Sequence, residues 1–253
     1  MKTVMVKNVV IGEGAPKIIV PMVGKTFSEL CEEAKQLNQI DLDLVEWRVD
    51  FFEDVEDLVK VQAVAKEIRQ ILNEKPILFT FRTKKEGGEH EVSAEYYFTL
   101  NQTMMASGLV DLTDIELFMG DEEVLAAVNY AHQHHVKVVM CNHDFDQTPA
   151  KDEIIARLQK MQHLNADICK IAVMPQSAKD VITLLDATTT MSEEYADRPI
   201  VTMSMGGLGV VSRVAGEIFG SAMTFGAAKK ASAPGQVPVA ELRSVLDLMH
   251  KSK

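Results

Sequence analysis

The chain has 253 residues, 47% hydrophobic and 25% charged, the balance of an ordinary globular protein within reach of one large domain. A net charge of −11 argues against a nucleic-acid binder, which needs a basic face to meet phosphates, but still permits a local pocket of inward arginines for a small anion. No apolar run approaches the ~20 residues needed to span a bilayer, and the segment Met1–Lys7 lacks the apolar core of a signal peptide, so a cytoplasmic protein without a membrane partner is expected.

Val4–Val6 and Val9–Ile11 read as a short hairpin. Eight β-branched runs follow, each succeeded by an amphipathic stretch. They are strand Lys17–Met22 with helix Phe27–Leu37, Asp43–Val49 with Val55–Leu72, Ile77–Arg82 with Ser93–Ser107, and Leu112–Leu117 with Glu122–His134. Then come Val136–Asn142 with Ala150–Met161, Ile168–Val173 with Ala178–Ser192, Ile200–Met205 with Val214–Ile218, and Ala222–Phe225 with Val239–His250. Such alternation argues for βα units and a parallel sheet. Eight units in this length favour an α/β fold of the closed (β/α)8 TIM-barrel type over a doubly wound sheet. The hairpin then becomes a lid on the lower mouth. Without a Pro/Gly/Ser linker or a composition shift, residues 1–253 read as a single domain.

In a barrel of this kind, chemistry belongs at the C-terminal ends of strands. Lys170 stands inside the apolar run Ile168–Val173, on the face opposite Cys169 and Ile171. It reads either as half of a buried ion pair or as an amine desolvated until its pKa falls from ~10.4 towards neutrality, where it can attack a ketone. His143 ends the fifth strand, one βα unit earlier. It reads as a satisfied strand-end histidine or as a general acid and base. Arg82 ends the third strand, and Glu86 follows in a glycine-rich loop, either solvated or folded back to orient His143. On the second strand Glu46 and Arg48 share a face and read as an ion pair that also holds substrate hydroxyls. Asp114 and Glu116 share a face of the fourth, with no sharper role. After strand seven, Gly206–Gly209 leads to Arg213, placed to grip a carboxylate. Beyond strand eight, Ser232 and Gln236 offer a hydroxyl and an amide. The three cysteines are isolated, and His132, His134 and His135 fall on the lower face, where they complement a helix C-terminus, so no metal is expected.

Taken in order, these segments resemble the type I 3-dehydroquinate dehydratases of the shikimate pathway. The likeness is carried by 46–50, 79–82, 86–89, 142–145, 170–172, 203–206, 212–213 and 232–236, and covers essentially the whole chain. It implies conversion of 3-dehydroquinate to 3-dehydroshikimate and water. It also implies Lys170 as the Schiff-base lysine, His143 as general base and acid, and Glu86 as the carboxylate associated with that histidine. Glu46, Arg48, Arg82, Arg213, Ser232 and Gln236 match substrate-binding positions. The family implies a homodimer that needs no metal or organic cofactor. Pro21 departs from the pattern, standing where several members carry a small hydroxyl residue. Two rivals remain on the same fold: a class I Schiff-base aldolase, and a non-catalytic binding barrel.

Overall fold

A computed structural model describes residues 3–228 and 235–252. β1 (Val4–Val6) and β2 (Val9–Ile11) form an antiparallel hairpin. The parallel wall runs through β3 (Lys17–Met22), β4 (Leu44–Arg48), β5 (Ile77–Thr80), β6 (Leu112–Glu116), β7 (Lys137–Asp144), β8 (Ile168–Val173) and β9 (Ile200–Ser204). β10 (Met223–Ala227) pairs with β3, and the two-residue β11 (Val237–Pro238) extends β10. Around the wall lie α1 (Phe27–Asn38), α2 (Leu58–Leu72), α3 (Ala94–Ala106), α4 (Asp121–Gln133) and α5 (Lys151–His163). They are followed by α6 (Ala178–Thr190), α7 (Val210–Val214), α8 (Gly216–Phe219) and α9 (Val239–Lys251).

Strand alternation divides the apolar residues into two layers. Outward side chains such as Val20, Trp47, Phe79, Met140 and Ile171 pack under the helices. Inward ones at the strand starts (Ile19, Leu44, Leu78, Leu112, Val139, Ile168 and Val201) fill the barrel interior. Val4, Val6 and Ile11 of the hairpin join that inner cluster and stopper the lower end. Burying each such side chain contributes roughly 1.5–3 kcal/mol relative to exposure.

The wall closes on itself between β9 and β10 by a slender seam. One bridge joins Ile200 to Ser221, Ala222 N–H donates to the Ile200 carbonyl at 2.8 Å, and the Ser221 hydroxyl accepts from Thr202 N–H at 3.0 Å. Every other neighbouring pair in the barrel wall carries a regular parallel ladder.

Several boundaries differ from the sequence reading, for local reasons. α2 starts at Leu58, not Val55, because the Asp57 carboxylate caps it by accepting from Val59 and Lys60 N–H. The β5 ladder stops at Thr80, so Arg82 lies beyond it, drawn aside by acids on its neighbour. β7 continues to Asp144, which places His143 within paired strand rather than after it. The stretch expected as one helix over Val214–Ile218 is two short helices, α7 and α8. The first begins at Val210, where the Ser212 hydroxyl donates to the Gly209 carbonyl and accepts from Ser204 N–H. Among the described residues no helix is long and apolar enough to cross a membrane.

Candidate active site

Each strand from β4 to β8 turns polar on its inward face after an apolar first residue. Leu44 gives way to Glu46 and Arg48, Leu78 to Thr80, Leu112 to Asp114 and Glu116, Val139 to Cys141 and His143, and Ile168 to Lys170. The polar halves surround the upper mouth, where a cavity of about 90 Å³ opens. It is lined by Glu46, Arg48, Arg82, Glu86, His143, Lys170, Arg213 and Gln236, with Ala172, Met203, Met205 and Phe225 as its apolar wall. All the sequence-derived candidates thus meet in one place except Ser232, which lies outside the described residues. Pro21 pairs with Glu46 in the ladder but does not line the cavity.

At the centre, Lys170 Nζ stands 3.1 Å from His143 Nε2. Lys170 is only 3% exposed, and its Nζ lies over the Phe225 ring, 4.9 Å from the centroid. On the other side of the imidazole, Nδ1 meets Glu86 Oε2 at 2.9 Å. The same oxygen accepts from His143 N–H at 2.9 Å, and Oε1 accepts from the Asn142 amide at 3.1 Å. An ionised Glu86 therefore holds Nδ1 as the donor and leaves the Nε2 lone pair towards Lys170. Arg157 on α5 donates to the Asn142 side-chain oxygen at 2.9 Å, which turns the amide nitrogen towards Glu86. Gly87 adopts φ 86°, and a side chain there would strike Phe145, whose ring lies nearly parallel to His143 with centroids 6.4 Å apart.

Burial holds His143 well below the usual imidazole range, reinforced by the charges of Arg82, Lys170 and Arg48. Neutral imidazole is the basic form. Burial pushes Glu86 up to about 7, with Glu116 adding to the effect, while Arg82 and the N–H donors oppose it. Arg213 is 1% exposed, and burial lowers its guanidinium to about 10. Such a desolvated cation facing a cavity suits an anion.

The ion pairing within the site differs from the sequence reading. Arg48 pairs with Asp50 rather than Glu46, through two contacts of 2.8 Å. Glu46 instead accepts from the Thr80 hydroxyl at 3.0 Å. Asp50 is fully buried and also receives Glu89 N–H at 3.2 Å, so it tethers the glycine-rich loop. Its spacing of two from Arg48 was the signal available in the sequence. Arg82 is gripped by Glu116 at 2.8 Å and Asp114 at 2.9 Å, and it donates to Cys141 Sγ at 2.9 Å. These carboxylates had no assigned role.

The histidine tract near residue 134 serves local structure. His134 Nδ1 meets the Tyr130 carbonyl at 3.0 Å near the end of α4, whereas His132 pairs with Asp167 at 2.8 Å. Among the described residues, Glu86, Cys141 and His143 are the group with donor atoms near enough to share a metal ion. The Arg82 guanidinium on Cys141 and the Lys170 amine on His143 compete with any cation there.

A family model described as type I 3-dehydroquinase matches residues 18–253. The chain belongs to the type I 3-dehydroquinase family. A 3-dehydroquinate dehydratase of Listeria innocua is 66% identical over 99% of both chains, and one of Salmonella agona is 58% identical over the full length of both. Among solved structures, the Clostridium difficile type I 3-dehydroquinate dehydratase with covalently modified comenic acid superimposes with a TM-score of 0.98. It is 57% identical, with 100% of this chain and 99% of that one covered. The barrel also resembles that of a 3-hexulose-6-phosphate synthase, TM-score 0.61 at 18% identity, a likeness of fold alone.

Proposed function

We propose that this hydro-lyase converts 3-dehydroquinate to 3-dehydroshikimate and water through an imine on Lys170. The observation that carries the reading is the 3.1 Å approach of Lys170 Nζ to His143 Nε2 inside a cavity rimmed by Arg48, Arg82 and Arg213.

Dehydration requires loss of a proton from carbon 2, beside the ketone, and of a hydroxide equivalent from carbon 1. A ketone acidifies that C–H too weakly for imidazole. The Lys170 ammonium gives up a proton, its amine adds to the carbonyl to give a carbinolamine, and the carbinolamine hydroxyl takes that proton and leaves as water, so that a protonated imine remains. That cation draws the electrons of the C2–H bond into a neutral enamine as His143 takes the proton. The enamine expels the carbon-1 hydroxyl, which leaves as water with the proton from His143. Hydrolysis of the product imine restores the amine. Two waters are released and one is consumed. The protein's own amine supplies the electron sink, so the sequence of steps calls on no metal or organic cofactor. Glu46, Arg48, Arg82, Ser232 and Gln236 hold the ring, and fixed near-attack geometry can supply up to about 7–11 kcal/mol.

The test is borohydride reduction with 3-dehydroquinate present, followed by peptide mass mapping. An adduct on Lys170 supports the imine; a folded protein that turns over without one excludes it.

Arg213 is assigned the substrate carboxylate. Arg213→Ala is expected to raise KM about 10- to 100-fold with a much smaller change in kcat, the size of one lost charge-assisted contact of ~1.5–3 kcal/mol. An unchanged KM in steady-state assays puts the anion elsewhere.

The Glu86 anion is the form that fixes His143 as a base. Turnover is therefore expected to rise with pH through about 7 as Glu86 ionises. Glu86→Gln is expected to lower kcat roughly 10- to 100-fold and flatten that limb. A variant profile that keeps the limb detaches it from this carboxyl. The raised value also bears on stability, because ionising Glu86 is harder in the fold than in the unfolded chain. Its contribution is full below pH 4.5 and is lost as pH rises through about 7.

A further inference from the structure

Beneath the cavity lies a charged group that the mechanism above does not use. Asp114 is fully buried on β6 and does not line the cavity. Its two oxygens have different surroundings. Oδ1 accepts from Arg82 at 2.9 Å and from the Cys141 thiol at 3.0 Å. Oδ2 has no hydrogen-bond partner and is directed at Lys170 Nζ, 3.7 Å away, too far for a hydrogen bond. A buried carboxylate oxygen without a donor is costly and calls for a reason.

The local charge balance supplies one. Arg82 is the single guanidinium between Asp114 and Glu116. Glu116 is fully engaged, accepting also from Thr83 N–H at 2.8 Å and the Thr83 hydroxyl at 2.6 Å. Two carboxylates against one guanidinium leave one negative charge, and the Oδ2 side of Asp114 presents it to the lysine nitrogen. Burial alone would raise the Asp114 carboxyl, but Arg82 and Lys170 hold it below the usual range, so the anion persists.

We propose that Asp114 is the counter-charge of the Lys170 iminium, stabilising the covalent intermediate from the side opposite the substrate. The inference rests on the imine reading and deepens it. Once the carbinolamine has lost its hydroxyl, the nitrogen carries a positive charge that cannot be shed without giving up the electron sink. At 3.7 Å between two buried side chains, an anion favours that form over the neutral carbinolamine and the free ketone. The missing hydrogen bond becomes intelligible, since the iminium has one N–H to place where the ammonium had three, and His143 Nε2 already faces it.

The experiment is a double-variant comparison. Asp114→Asn preserves shape and removes the charge. With saturating 3-dehydroquinate, the fraction of chains trapped by borohydride is expected to fall at least about tenfold. In a Lys170→Ala background, where no imine forms, adding Asp114→Asn is expected to change calorimetric substrate affinity less than about twofold. Thermal melting establishes that each variant is folded. An unchanged trapped fraction overturns the proposal. So does a matching loss of affinity in the Lys170→Ala background, because it makes Asp114 a support for Arg82 alone. Absence of any adduct in the unsubstituted enzyme is a different failure, that of the imine reading itself.

Discussion

Lys170→Ala is expected to lose turnover by at least about 10⁴-fold while still binding substrate. Removal of a nucleophile that acts as part of a unit typically costs this much or more, since the remaining groups only orient and polarise. Binding survives because Arg48, Arg82, Arg213 and Gln236 line the cavity independently of the lysine. The truncation also removes the buried stem with the nitrogen that lies over Phe225, and leaves the Asp114 charge facing a void. Lys170→Met, which keeps the stem, separates the two effects: both variants should be equally inactive, with the methionine form the better packed. The measurements are kcat by product absorbance and affinity by calorimetry. Turnover within tenfold of the parent would remove the imine from the mechanism.

The second large effect is of another kind. His143→Ala is expected to reduce kcat by about 10²–10⁴, the usual reach of a positioned acid–base group. Yet it should stall after the lysine has reacted rather than before. Nε2 stands 3.1 Å from the lysine nitrogen, but the amine adds to the ketone by its own lone pair. Borohydride quenching of a steady-state mixture should therefore recover a larger share of chains with substrate mass on Lys170 than in the parent. Normal turnover in this variant would take His143 out of the proton transfers. A slow variant with no trapped mass would move its role forward, to imine formation.

The wall of the barrel was legible where a run of β-branched residues is long and uninterrupted. Lys17–Met22 and Ile168–Val173 fall in the structure at the bounds read from sequence. Boundaries set by a single side chain were not, as with the Asp57 cap or the Ser212 bonds that start α7 early. The same division holds in the site. Alternation tells which residues point inward, and the inward residues of β4 to β8 do gather at one mouth. It does not tell which neighbour each will meet. Arg48 could have met Glu46 or Asp50, and the choice depends on how the chain bends out of β4 into the turn Val49–Phe51. Asp114 reaches Lys170 past the intervening β7, on which Val139 stands opposite Asp114 and Cys141 opposite Lys170. That contact exists only because the sheet is curved, and curvature leaves no mark on the pattern of β6 alone.

The slender join between β9 and β10 gives the cylinder a mechanical character. A hoop laced equally all round resists widening in every direction. Here the lacing is confined to Ile200, Thr202, Ser221 and Ala222, and above it Met203 and Met205 on one side and Phe225 on the other meet through apolar packing. The barrel is thus a split ring with its gap beside the cavity. Expansion there breaks no ladder, whereas expansion between β7 and β8 would pull His143 away from Lys170. Compliance and rigidity are placed on opposite sides of one cavity, so the mouth can yield to the bulk of a guest while the reacting pair keeps its spacing.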